Sequence, residues 1–156
     1  MSVKTISRWL KFIVIVMALM CFGMQCALSL IFLVSEVPEI GAMQVPWLIF
    51  IWLTALPMIP AVIFSWKTAA NIGKDISFSK DNAKNLHVIA MSAAVDCAIV
   101  SVGNIVLLVA NMNHPSVVLA SLVIVVIGIA ILIAAESLSQ LIKRAAKLQD
   151  DADLTI

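Results

Sequence analysis

Four apolar stretches dominate the chain, and polar segments separate them. They cover residues 12–34, 47–66, 87–111 and 116–139. Each is long enough for an α-helix to cross a hydrocarbon layer of roughly 30 Å. Helices are expected because a backbone in lipid must satisfy its hydrogen bonds within its own segment, and no alternating pattern typical of a membrane β-barrel occurs. The pattern therefore predicts an all-α, four-transmembrane-helix bundle formed by residues 1–156 as one domain.

Composition agrees with a membrane protein. Hydrophobic residues make up 63% of the chain and charged residues 12%, against about 45–50% and about 25% in soluble domains. The three cysteines, Cys21, Cys26 and Cys97, all lie within apolar stretches, which favours a packing role over a disulfide or a zinc site. The net charge of +1 gives no reason to expect direct binding of nucleic acid.

The first stretch follows Lys4, Arg8 and Lys11, as the core of a secretory signal would. It is longer than the 7–15 or so residues of a signal core, and no cleavage motif with small residues follows it. We therefore expect a retained first helix.

The distribution of positive charge predicts the orientation. All lysines and arginines lie before the first stretch, between the second and third, or after the fourth. Four spans place these three segments on one side, and the positive-inside rule makes that side cytoplasmic. We expect cytoplasmic termini, a cytoplasmic loop of residues 67–86, and external turns near Glu36 and His114.

The cytoplasmic segments contain helix signals. Gly73 is a candidate end for an extension of the second helix, and Ser79 with Asp81 forms an N-terminal cap for the third. Residues 140–156 continue the fourth helix as an amphipathic stalk with a basic face. The predicted cytoplasmic interaction surface consists of Lys74, Phe78, Ser79, Asn82, Lys143, Arg144 and Lys147.

Asp96 is an ionisable residue near the middle of the third stretch, where an exposed charge is costly. A small, polar sector of that helix surrounds it, so we expect this sector to face the bundle interior. One interpretation is a protonated Asp96 that donates a hydrogen bond to Gln25 or Thr54; the other is a proton or cation site. The first is preferred, because interhelical polar pairs are ordinary in membranes. The candidate intramembrane polar site consists of Asp96, Gln25, Asn104, Ser92, Thr54 and Glu136.

Further expectations concern a second acidic residue, two prolines and the small residues of the fourth stretch. Glu136 is predicted to reach the interface or to pair with Lys143 or a loop lysine. Pro57 and Pro60 predict a kinked second helix. Small residues every seven positions in the fourth stretch predict close packing, within the chain or across a homodimer. No catalytic motif or ligand spacing for a metal occurs, so we expect no enzyme activity, cofactor or metal site.

The segment NIGKDISFSKDNAKNLHVIA and the terminal DLTI carry a family resemblance. The chain resembles a family of small four-helix bacterial membrane proteins of unknown function. The matching residues are Phe78, Ser79, Asn82, Leu86 and Ile89, while Gly73 lies farther upstream than the family's glycine. The resemblance implies a bacterial cell-membrane location. It also implies a regulatory role and a partner, a small helix-turn-helix regulator, because genes of this family often neighbour one for such a protein.

Three functions remain open at this point. The preferred hypothesis is an interaction or regulatory protein that acts through its cytoplasmic loop and stalk. The second is a small proton- or cation-linked transporter that uses Asp96. The third is an immunity protein against a membrane-active peptide. The expected surroundings are the lipid bilayer, with a cytoplasmic protein partner or a second copy of the chain as candidate partners.

Overall fold

Four long helices form the structure, a computed structural model that describes the backbone of residues 2–34 and 38–153 and the side chains of residues 2–34 and 43–149. The helices are α1 (Val3–Val34), α2 (Pro38–Gly73), α3 (Lys80–Val109) and α4 (Pro115–Asp153). Each is long and apolar enough to cross a membrane. The predicted all-α class with four spanning helices is confirmed. The predicted external turn at Glu36 lies outside the described residues.

The helices extend beyond the apolar stretches that predicted them. With 39 residues, α4 is about 58 Å long at 1.5 Å per residue, nearly twice the thickness of a hydrocarbon layer. Its helical course includes most of the predicted stalk; residues 154–156 lie outside the described part of the chain. The cap signals also divide the predicted 67–86 loop, which leaves only residues 74–79 between α2 and α3.

The helices are arranged in an open row. Among the described residues, backbones approach closely between α1 and α2, between α2 and α3, and between α3 and α4, and between no other pair. Consequently α3 has a neighbour on each side, whereas α1 and α4 lie at the edges. Most side chains of α1 and α4 are exposed, which is compatible with lipid as their solvent.

Two close approaches set the spacing within the row. A Cβ atom on Gly103 of α3 would collide with the ring of Phe50 on α2, and one on Gly128 of α4 would collide with the sulfur of Cys97 on α3. Small residues thus allow close packing within the chain, as the seven-residue spacing predicted. Beyond Gly128, the buried face of α4 continues through Ala135, Ser139, Ile142 and Ala146.

A residue in the left-handed conformation follows the C-terminal end of α2, and another follows that of α3. Asp75, with φ 63°, follows α2; its N–H bonds to the carbonyl of Ile72, and the N–H of Ile76 bonds to that of Asn71. This is the Schellman pattern: α2 ends at Gly73 as predicted, and the left-handed residue of the cap is Asp75. Gly73 is also required for another reason, because a Cβ atom there would lie 2.6 Å from Oγ of Ser7.

The same pattern ends α3. Asn111 has φ 54°, its N–H bonds to the carbonyl of Leu108, and the N–H of Met112 bonds to that of Leu107. The prediction that the third helix reaches residue 111 was therefore slightly too long. Asn111 is exposed at the cap and does not belong to the interior polar sector of α3.

The prolines of α2 do not interrupt it. Pro46, Pro57 and Pro60 lie within one continuous helix, and Pro57 is buried. A proline lacks the N–H that would bond four residues back, so the carbonyls of Leu53 and Leu56 lack their intrahelical donors.

Candidate functional site

Polar side chains join all four helices at one end of the row. We call this the basic end and define it as residues 3–11, 67–87 and 136–149. Ser7 Oγ donates to the carbonyl of Ala69 at 2.6 Å and links α1 to α2. Ser139 Oγ donates to the carbonyl of Ala83 at 2.6 Å and links α4 to α3. Each bond joins two buried residues, so the basic end is fixed by interhelical hydrogen bonds as well as by packing.

Asn82 fixes the turn between α2 and α3. Its side chain is 1% exposed, and its Nδ2 donates to the carbonyls of Ile76 at 3.2 Å and Ser77 at 3.0 Å. Its Oδ1 accepts from Nδ2 of Asn71 at 2.8 Å. Ser79 caps α3, since its Oγ accepts from the backbone N–H of Asn82 at 3.2 Å. One amide side chain therefore holds both the turn and the end of α2.

The surface that remains accessible differs from the predicted one. Asn82 is buried and Ser79 is the helix cap, so the prediction that Asn82 belongs to an exposed surface is corrected: its hydrogen-bonding groups are used within the turn. Phe78 is 65% exposed and Ile76 is 48% exposed, and Lys74 is also exposed. On α4, the exposed side chains near the turn are Leu141, Lys143, Arg144, Lys147 and Leu148.

Glu136 lies at the boundary of the basic end and bonds across to α3. Its Oε2 is 2.7 Å from Nδ1 of His87, and its Oε1 accepts from Nε2 of Gln140 at 3.2 Å. The predicted partner, Lys143, makes no ion pair with Glu136; histidine lies directly across the α3–α4 contact, whereas Lys143 is two turns away along the same helix. This pair is partly exposed, so solvent screens it.

Asp96 is half-buried near the middle of α3, where one of its carboxylate oxygens, Oδ1, is buried and has no hydrogen-bond partner among the described residues. The predicted bond to Gln25 or Thr54 is not formed. Gln25 Nε2 instead donates to Thr54 Oγ1 at 3.4 Å. Thr54 Oγ1 in turn donates to the carbonyl of Ile51 at 2.7 Å. For Gln25 the reason is the row, because α1 has no close backbone approach to α3; the hydroxyl of Thr54, on the neighbouring α2, is instead donated to the carbonyl of Ile51.

The register between α2 and α3 shows what lies at the level of Asp96. Phe50 lies against Gly103 at one end, and Asn71 bonds to Asn82 at the other. The two helices are antiparallel, and a single alignment of α2 with α3 accounts for both contacts. In that alignment Asp96 of α3 lies at the level of Pro57 of α2. By the same register, the carbonyl of Leu56, which Pro60 deprives of a donor, is about level with Asp96, and that of Leu53 is about one helical turn away.

Two other residues of the predicted intramembrane site, Ser92 and Asn104, donate hydrogen bonds to backbone carbonyls of their own helix, α3. Ser92 Oγ donates to the carbonyl of Val88 at 2.8 Å, and Asn104 Nδ2 donates to that of Val100 at 2.8 Å. Both Ser92 and Asn104 are buried, as the interior sector predicted. Asn104 Oδ1 accepts from Asn113 at 2.8 Å, so this residue anchors the turn opposite the basic end and lies two turns from Asp96.

Three residues that were not among the predicted site residues carry interhelical bonds of the basic end: Ser7, Asn71 and Ser139. Their signal was weak: each is a small polar residue beside an apolar stretch, and its partner is a backbone group or an amide on another helix. Within the described side chains, no group of three His, Cys, Asp or Glu residues is placed to hold a metal ion.

Comparison with known proteins gives a family and no function. No curated protein and no solved structure matches the chain. One family model matches residues 28–156, which include the three helices α2, α3 and α4 and the last turns of α1. This multi-pass membrane protein therefore belongs to the family described as "Protein of unknown function (DUF2975)".

Proposed function

We propose that the protein docks a soluble protein partner at its basic end. The docking surface consists of the exposed residues of the 74–79 turn and the adjoining exposed face of α4 from Leu141 to Leu148. The main support is the exposure of Phe78 (65%) and Ile76 (48%) on a turn that Asn82 holds from within. A fixed turn loses little conformational entropy on binding, and an aromatic side chain is a common anchor of protein interfaces.

Charge defines the chemistry of the partner. Exposed basic side chains occur both beside the turn and on α4, and they outnumber Asp75 and Asp81, the acidic residues next to the exposed apolar pair. A surface of this kind attracts an acidic protein surface that carries an apolar pocket for Phe78. The basic residues are Lys74, Lys84, Lys143, Arg144 and Lys147, all of them exposed.

The family resemblance supplies a specific candidate for that partner, a small helix-turn-helix regulator. In this proposal the basic end faces the cytoplasm, the regulator and not this chain binds DNA, and membrane docking controls how much regulator is free. The protein then has a regulatory role and no catalytic one.

The test measures whether the small helix-turn-helix regulator that the resemblance predicts beside the gene, once purified, binds this protein in lipid nanodiscs. Phe78→Ala combined with Ile76→Ala should weaken binding by about tenfold or more, since interface anchors cost about 2 kcal/mol or more when truncated. The matched control is Phe12→Ala with Ile13→Ala, because these α1 side chains are 56% and 49% exposed but lie within the first predicted membrane-spanning stretch. Unchanged binding in the turn variant, or an equal loss in the control, would contradict the proposal.

A second variant separates charge from apolar contact. Replacing Lys143, Arg144 and Lys147 by glutamine should slow association, and this effect should shrink at high salt because screening weakens charge steering. The triple substitution is a sharper test than removal of residues 142–156, because that truncation would also remove Ile142 and Ala146, which are buried, and so disturb the packing of α4.

A second candidate function rests on Asp96. A buried carboxylate oxygen without a partner among the described residues, near the proline-freed carbonyls of α2, supports a proton or cation site in a small transporter. Asp96→Asn in proteoliposomes should abolish proton or cation flux while the helices stay folded. The same flux from Asp96→Asn as from the wild type would exclude this candidate.

A further inference from the structure

A groove of about 400 Å³ runs between α1 and α2. Val14 and Ala18 form part of its wall on α1, Val62 and Trp66 form part of its wall on α2, and Lys67 lies at its end. Its volume falls within the range of about 300–1,000 Å³ that is usual for small-molecule sites. Apart from this lysine its lining is hydrophobic, so a hydrocarbon chain suits the groove better than a polar solute does.

Two lysines lie where the groove meets the basic end. The ammonium group of Lys11 is 5.2 Å from the centre of the Trp66 ring, and that of Lys67 is 4.6 Å from the centre of the Phe64 ring. Lys11 precedes Val14 and Ala18 at helical spacing, so it continues the same face of α1. Neither lysine forms an ion pair within the part of the chain that the structure describes.

We propose that this groove binds an anionic phospholipid, with one acyl chain along the apolar wall and the headgroup phosphate between Lys11 and Lys67. The aromatic rings position the two ammonium groups by cation–π attraction and leave N–H donors free for phosphate oxygens. Trp66 lies beside them, and tryptophan is a residue that typically marks the headgroup level. The lipid comes from the leaflet that borders the basic end.

The site selects anionic over zwitterionic lipids by their net negative charge. A zwitterionic lipid fills the same apolar groove, but its headgroup also carries a positive charge that the two lysines repel. Basic pockets between membrane helices commonly hold anionic headgroups. This site is separate from the docking surface, so it stands or falls independently of the proposed partner.

The test is native mass spectrometry of the full chain in detergent with equal amounts of phosphatidylglycerol and phosphatidylcholine. The wild type should retain phosphatidylglycerol preferentially, and Lys11→Gln with Lys67→Gln should reduce that preference by about fivefold for each lysine. Lys74→Gln with Lys84→Gln removes the same charge from exposed positions at the same end and should leave the preference intact.

A groove-filling variant tests the acyl chain. Ala18→Leu should lower retention of both lipids, whereas Ala27→Leu, at an exposed position of α1, should not. The proposal is overturned if the Lys11/Lys67 variant keeps the wild-type preference or if the Lys74/Lys84 control loses it equally. It is also overturned if inorganic phosphate displaces the bound lipid as fully as phosphatidylglycerol does, since that would define a phosphate site that needs no acyl chain.

Discussion

At the scale of single residues, Asn82 contributes most to the order of the basic end. Its side chain is almost completely buried and combines two donated hydrogen bonds with an accepted one. Burying an amide is unfavourable unless its groups are paired, and here both the nitrogen and the oxygen are paired. The turn that exposes Phe78 therefore depends on a residue that no partner could touch.

Asn82→Ala should destabilise the protein by about 1–3 kcal/mol, because it leaves the carbonyls of Ile76 and Ser77 and the amide of Asn71 without their partner. Asn82→Asp should also destabilise it, since a carboxylate keeps the acceptor for Asn71 but loses both donors. Denaturant titration of the detergent-solubilised protein measures both effects. Lys84→Ala, at an exposed position of the same helix, serves as the control; an Asn82→Ala midpoint equal to that control would show that the turn does not need the amide.

The role of Ser79 could be predicted from the sequence, whereas the role of Asn82 could not. Ser79 was predicted as the cap because a serine before a polar first turn has a local role that depends only on its neighbours in sequence. The role of Asn82 depends on carbonyls in a turn whose conformation is set by Asp75 and on an amide in another helix. Nothing local distinguishes such an asparagine from a solvated one.

At the scale of elements, glycines determine how closely the helices approach. Gly103 accepts the ring of Phe50 from α2, and Gly128 accepts the sulfur of Cys97 from α3. The apolar pattern predicted the helices themselves, because length and hydropathy alone define a candidate span. It could not predict which helices are neighbours, because lipid and protein are equally apolar surroundings for most side chains.

Gly103→Ala should destabilise the α2–α3 contact by about 1–3 kcal/mol, the usual cost of overpacking a close contact. Gly23→Ala is the matched control, since a Cβ atom there meets nothing within 4 Å; it should be neutral or stabilising by up to about 1 kcal/mol through helix propensity. Adding Phe50→Ala to Gly103→Ala should cost less than the two single losses together, because the clash is removed. Thermal unfolding in detergent measures the stability of the three single variants and of the double variant. If the losses from Gly103→Ala and Phe50→Ala were strictly additive, the contact between the two residues would be contradicted.

At the scale of the whole molecule, the open row changes the meaning of the intramembrane polar residues. A closed arrangement would place Gln25 of α1 against Asp96 of α3, as expected from polarity alone. In the row, Gln25 bonds within the α1–α2 pair, and Asp96 lies at the level of Pro57. The edge faces of α1 and α4 remain for lipid or for a second copy of the chain, and the homodimer stays a prediction.

The distribution of positive charge predicts how the whole molecule is oriented in the membrane. Every lysine and arginine lies at or near the basic end, so we expect that end in the cytoplasm. A membrane-impermeant maleimide should label His114→Cys in intact cells and Phe78→Cys only after permeabilisation; both positions are exposed. The unaltered chain controls for Cys21, Cys26 and Cys97, which should remain unlabelled within the bilayer. Labelling of Phe78→Cys in intact cells would reverse the orientation.

The proposed regulatory role depends on docking of a soluble regulator at the basic end through the 74–79 turn. Photo-crosslinking in living cells tests it most directly, with a photoreactive phenylalanine analogue placed at position 78 and, in a matched variant, at position 12 on α1. We expect a covalent product that contains the helix-turn-helix regulator from position 78 and none from position 12. A position-78 variant that crosslinks only to lipid, or that captures the regulator no better than position 12 does, would contradict it.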